Sequence, residues 1–112
     1  MSFEPEELSR EEVQETVEET IEHNEVALFM KGTELMPQCG YSRKALGLIG
    51  QHRDDVATVD VLKATDDYRA ALSEYSGRET IPQTSVDGEF VGGSDILEQL
   101  DENGDLAETL NA

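Results

Sequence analysis

Cys39 is the only cysteine in the chain, and it stands in the segment Lys31-Gly-Thr-Glu-Leu-Met-Pro-Gln-Cys-Gly-Tyr-Ser42. An apolar strand pattern ends just before this segment and a helical pattern begins within it, so the sulfur is expected at a helix start. Helix N-termini carry unpaired N–H groups and roughly half a positive charge, which favour thiolate over thiol. Lys31 adds a full positive charge if the loop folds back on the sulfur. A lone cysteine can also be a small apolar core residue. Pro37, Gln38, Gly40 and Ser42 are poor company for a core position, so the chemistry to expect is that of a reactive thiol.

The charge around this thiol departs from that of the rest of the chain. With 26 acidic against 8 basic residues, the formal charge is −18, which argues against sequence-independent affinity for nucleic acid or anionic lipid. Residues 1–25 hold ten acids and a single base, Arg10, whereas residues 31–53 hold Lys31, Arg43, Lys44 and Arg53 against Glu34 alone. This electropositive island suggests thiolate stabilisation or an anionic ligand beside the sulfur, although Arg43, Lys44 and Arg53 taken singly read as cations solvating one helix face. Acids spread along the whole chain, with only three lysines, suit a surface adapted to high salt, where screening lengths shrink to a few Å; an ordinary acidic cytosolic protein is the alternative.

The elements that must position the thiol follow from periodicity. Ser9 to Glu12 forms a capping box opening an amphipathic helix, with Val13, Val17 and Ile21 at helical spacing and an end near His23 and Asn24. Val26–Met30 is an apolar run without polar alternation, as a buried central strand requires. After the Cys39 loop, Ala45, Leu46, Leu48 and Ile49 mark a helix that Gly50 can stop. Ala57–Val61 reads as a second strand, and Thr65 or Asp66 starts a helix through Tyr68, Leu72 and Tyr75 to Gly77. Thr84–Val86 and Glu89–Val91 flank Asp87-Gly88, a strong hairpin signal. Ser94 is expected as the N-cap of a helix running to Leu100, and a last helical turn covers Leu106 to Leu110. This order predicts an α/β domain whose first two strands are parallel through a right-handed crossover and whose last two are antiparallel.

At 112 residues and 37% hydrophobic content, the chain fits one domain, residues 9–112, preceded by a flexible segment, residues 1–8. No run approaches a membrane span, and an acidic N-terminus is unlike a secretory signal, so the expected setting is the cytoplasm. A single cysteine excludes an internal disulfide. His23 and His52 each stand alone near a helix end and read as solvated surface residues.

Lys31-Gly-Thr, Cys39-Gly-Tyr-Ser, Thr80-Ile-Pro-Gln, Asp87-Gly-Glu-Phe-Val-Gly-Gly-Ser-Asp-Ile and Glu102-Asn-Gly-Asp-Leu, in that order, resemble the monothiol glutaredoxin family over about residues 10–110. The resemblance implies a thioredoxin-like fold with a four-stranded mixed sheet flanked by helices, Cys39 at the head of a helix, and a cis-proline at Pro82 facing the sulfur. It implies binding of glutathione or a similar small thiol, and a 2Fe-2S cluster held by two chains. By the same resemblance Cys39 is the catalytic thiol and cluster ligand, Lys31 the cation near the ligand's carboxylate, and Arg69 a second cation on that anion. Thr80, Ile81 and Pro82 would pair with the thiol peptide like an added strand, while Ser94 and Asp95 would hold its far end at a helix N-terminus. Tyr41 stands where the family usually has Phe, Arg78-Glu79 where it commonly has Trp-Pro, and Ser94 where it often has Cys. The loop before Arg69 is one residue longer.

Ligand counting is consistent with a cluster role. A 2Fe-2S cluster takes four thiolate-type ligands, one chain supplies one, and two chains with two small external thiols complete the set. Such a cluster is labile and suits a carrier delivering it to iron–sulfur acceptor proteins from a homodimer that is otherwise monomeric. Ser42 occupies the position of a resolving thiol, so dithiol chemistry is excluded, but Cys39 can form a mixed disulfide with a small thiol. Three readings follow: an iron–sulfur carrier, a monothiol–disulfide oxidoreductase working with a small thiol, and a redox-insensitive adaptor. In a salt-adapted organism another γ-glutamyl thiol could replace glutathione.

Overall fold

A computed structural model describes residues 9–112; the expected flexible segment 1–8 lies outside the described residues. The first helix, α1 (Arg10–His23), opens as expected. The Glu12 N–H donates to Ser9 Oγ at 3.1 Å and the Ser9 N–H to Glu12 Oε1 at 3.4 Å, pairing two donors that a helix start otherwise leaves open. Val13, Val17 and Ile21 face inward, each buried apolar side chain contributing about 1.5–3 kcal/mol over the exposed state.

Strand β1 (Val26–Met30) is buried at every position. It pairs in parallel with β2 (Ala57–Asp60) through the intervening helix α2 (Gly40–Gly50), and antiparallel with β3 (Gln83–Val86). The edge strand β4 (Glu89–Gly92) pairs antiparallel with β3, which gives the spatial order β2-β1-β3-β4. Asp87 and Gly88 make the hairpin turn with φ of 51° and 83°. Val61, expected as the last strand residue, instead leads into a short 3₁₀ turn, Leu62–Ala64, that feeds α3 (Thr65–Ser76). Gly77 ends α3 in the left-handed region at φ 75°.

The helices cover both faces of the sheet, which explains the continuous apolar run of β1. Ala27 and Phe29 meet Val13, Val17, Tyr68 and Leu72 from α1 and α3. Val26, Leu28 and Met30 meet Ala45, Ile49, Leu97 and Leu106 on the other face. The last two helices are α4 (Ser94–Glu102) and α5 (Leu106–Thr109). Ser94 is not the N-cap of α4. That position belongs to Gly93, which adopts an extended conformation, while Ser94 is the first helical residue and is buried. The reason is steric: a Cβ on Gly93 would sit 3.1 Å from the Pro82 carbonyl oxygen, so the helix approaches the preceding loop through a glycine. No helix among the described residues is long and apolar enough to cross a membrane.

Candidate functional site: a helix-capping thiol beside a groove

Between β1 and α2 the chain makes a tight loop closed on itself. The Gln38 N–H donates to the Lys31 carbonyl at 2.9 Å, Thr33 and Met36 exchange backbone bonds, and Gly32 bridges Pro37. Gly32 is needed at the closure: its φ is +93°, and a Cβ there would fall 2.5 Å from Gln38 N and Met36 O. Asp60 at the end of β2 braces the loop by accepting from the Gly32 and Leu62 N–H groups, both at 3.0 Å.

This loop delivers Cys39 to the N-cap of α2 in extended conformation. A capping side chain sits where the N–H groups of the second and third helical residues point. Those residues are Tyr41 and Ser42. The Ser42 N–H does most to hold the Cys39 thiol below its ordinary pKa; burial opposes it, and the Tyr41 N–H, the Ser42 hydroxyl and the Lys31 charge add to the lowering. The sulfur makes no closed capping hydrogen bond, so these groups act as oriented dipoles that favour the thiolate when it forms. The expected positive field is thus built mainly from backbone, with Lys31 as the smallest contributor.

Much of the electropositive island is spent elsewhere. Arg53 is held by Glu25, Asp55 and the Leu110 carbonyl, at the opposite end of α2 from the sulfur, and Lys44 pairs with Glu98. Lys31 and Arg43 make no ion pair among the described residues. His52, expected to be solvated, has its Nε2 buried without a hydrogen-bond partner and 4.0 Å from the Asp101 carboxylate.

Tyr41, Thr80, Ile81, Pro82, Ser94 and Asp95 come together along one groove of about 630 Å³. The Ile81–Pro82 peptide is cis, as expected. Cys39 and Lys31 do not line this groove, Tyr41 being its lining residue next to them in the chain. Arg69 is not brought into it either; its guanidinium lies 3.5 Å from the Asp66 carboxylate on the same helix. Among the groove residues given no binding role from sequence are Arg78, Gln83 and Phe90. Phe90 stacks on core Phe29 with ring centroids 6.3 Å apart, and Gln83 reaches back to the Arg78 carbonyl at 2.8 Å. Only the hairpin geometry, which places β3 and β4 beside the Thr80 loop, could have pointed to them.

A four-stranded mixed sheet between two helical layers, with a lone thiol capping the helix after the first strand and a cis-proline in the loop before the third, defines a thioredoxin-like domain. The sequence profile named Glutaredoxin matches residues 26–91. The chain is 44% identical over 99 residues to an uncharacterized monothiol glutaredoxin ycf64-like of Synechocystis sp., covering 88% of this chain and 92% of that one. It is 39% identical over 101 residues to the mitochondrial monothiol glutaredoxin-5 of Saccharomyces cerevisiae, covering 88% and 67%. The solution structure of reduced poplar apo GrxS14 superposes with a TM-score of 0.76 at 34% identity, covering 88% of this chain and 90% of that one. The chain belongs to the glutaredoxin family.

Proposed function

We propose that this glutaredoxin binds glutathione or a similar small thiol in the groove beside Cys39 and, as a dimer, carries a labile 2Fe-2S cluster to acceptor proteins. The observation that carries the reading is a single thiol, biased toward thiolate at a helix N-cap, with Ser42 where a second thiol would be required for dithiol exchange. A cluster fits this donor set only if shared. Among the described residues no group of three or more His, Cys, Asp or Glu side chains could hold a metal ion, and thiolates are the ligands such clusters take. Cys39 of each chain and one small thiol per chain supply four. Leu35, Met36 and Tyr41, exposed by 92%, 66% and 67%, lie within four positions of Cys39 in the chain and offer apolar surface suited to burial against a second copy.

The chain's own residues have defined roles in this reading. Lys31 attracts the carboxylate of the small thiol, the Thr80–Ile81 backbone pairs with the peptide beside Pro82, and Ser94 and Asp95 receive the far end at the α4 N-terminus; Arg69, paired with Asp66 outside the groove, takes no part. The thiolate bias also supports a second reaction. Cys39 attacks the small-thiol sulfur of a mixed disulfide, releasing the protein thiolate and forming a Cys39 mixed disulfide; a second small thiol then displaces Cys39 and leaves as the symmetric disulfide.

Anaerobic reconstitution with iron, sulfide and glutathione tests the carrier reading. Visible absorbance with two chains per cluster, and a monomer once the cluster is removed, are the expected results. A colourless protein of unchanged mass, active in reducing glutathione mixed disulfides, would replace the carrier reading with the oxidoreductase one.

A further inference from the structure

We propose that Arg78 reads a carboxylate of the thiol peptide in the groove and so helps set which small thiol is accepted; this rests on the small-thiol reading above. The side chains lining the groove include one cation, Arg78, and one anion, Asp95, contributed by different segments. A groove with one charge of each sign suits a zwitterionic peptide ligand. In a chain of 26 acids and 8 bases, cations are readily captured by neighbouring carboxylates, as Arg10, Lys44, Arg53 and Arg69 are. Arg78 is exposed and makes no ion pair among the described residues.

Its backbone is fixed although its guanidinium is free. Gly77 turns the chain out of α3 at φ +75°. The Arg78 N–H then donates to Ser76 Oγ at 3.1 Å, and its carbonyl accepts from buried Gln83 Nε2 at 2.8 Å. A residue anchored this way loses less freedom on binding than one on a loose loop. Arg78 also lies just upstream of Thr80 and Ile81, the edge along which a peptide ligand would run. A guanidinium presents paired donors that match a carboxylate, and the fit is directional where a lysine's is not.

Titration calorimetry of the reduced apo protein with glutathione, and with glutathione amidated at its glycine end, tests this. Wild type should bind glutathione about tenfold tighter than the amide, the ratio expected of one charge-assisted pair. Arg78→Gln should shrink that preference several-fold by weakening glutathione, Lys31 keeping the remainder, while leaving the amide unchanged. A variant that keeps the wild-type preference, or that weakens both ligands equally, overturns the role of Arg78 and leaves the small-thiol site standing. Wild type that binds neither ligand overturns the small-thiol reading and this inference with it.

Discussion

The backbone N–H of Lys31 donates to the Ser42 hydroxyl oxygen at 3.0 Å, tying the chain leaving β1 to the first turn of the helix that Cys39 caps. Ser42 is fully buried. With its oxygen accepting from Lys31, its proton is left for the sulfur, and the hydroxyl helps to lower the thiol pKa. One side chain thus couples the position of the loop to the ionisation of the thiol.

Ser42→Ala should therefore raise the midpoint of the alkylation pH profile of Cys39, and Lys31→Gln should raise it less, because the lysine charge is the weakest of the contributing causes. The alanine variant should also lose about 1 kcal/mol of stability by leaving the Lys31 N–H unpaired. The pH sign follows from linkage. A thiol pKa depressed in the folded state contributes stability that is complete above the unfolded thiol pKa and is lost as pH falls through the folded one. The deficit of Ser42→Ala in urea melts should accordingly be larger at alkaline than at neutral pH. Superimposable alkylation profiles for all three proteins would refute the coupling.

Cys39→Ala removes the proposed cluster ligand from a partly exposed position, so folding stability should stay within about 0.5 kcal/mol of wild type while reconstituted iron falls to background. Iron content and a thermal melt on the same preparation measure both. Wild-type iron in the variant would eliminate Cys39 as the ligand.

Gly32→Ala probes the loop itself. A methyl group there would meet two backbone atoms at 2.5 Å with φ at +93°, and backbone cannot swing aside as a side-chain tip can. Adding the cost of a left-handed non-glycine residue to that of overpacking gives about 2–5 kcal/mol. The displaced loop should also move Lys31 away from Ser42 and raise the thiol pKa. A urea midpoint equal to wild type would mean that the loop yields freely.

The order of elements was legible because it rests on local signals: the Ser9–Glu12 box, the apolar run of β1, the Asp87-Gly88 turn and Gly77 after α3 each act within a few residues. The thiol's place at a helix start was legible for the same reason. What sequence could not show depends on distant parts of the chain. Gly93 replaces Ser94 as N-cap because Pro82 comes close to it. Arg53 looked like part of the positive island, yet it reaches the Leu110 carbonyl, 57 positions away. Arg78 read only as a departure from Trp-Pro, and its place in the groove emerges once β3 and β4 are set beside the preceding loop.

Salt should stabilise this fold. The formal charge of −18 is spread over the surface, and α1 and α3 bring acids together, as the Tyr75 hydroxyl reports: its pKa is raised first by burial and then by Glu18, Glu22 and Glu74. Raising ionic strength from about 0.01 M to 1 M shortens the Debye length from about 30 Å to about 3 Å, which should remove most of that repulsion. An opposing effect comes from the exposed ion pairs, such as Lys44 with Glu98 and Arg10 with Asp67, which salt weakens. Exposed pairs contribute only about 0.2–1 kcal/mol each, and few basic residues are present to form them, so relief of repulsion should dominate. Sulfate also strengthens apolar burial, and chloride and sulfate must be compared at matched ionic strength. Thermal midpoints that rise with sodium chloride are expected; midpoints that stay flat or fall would remove the case for a salt-adapted surface.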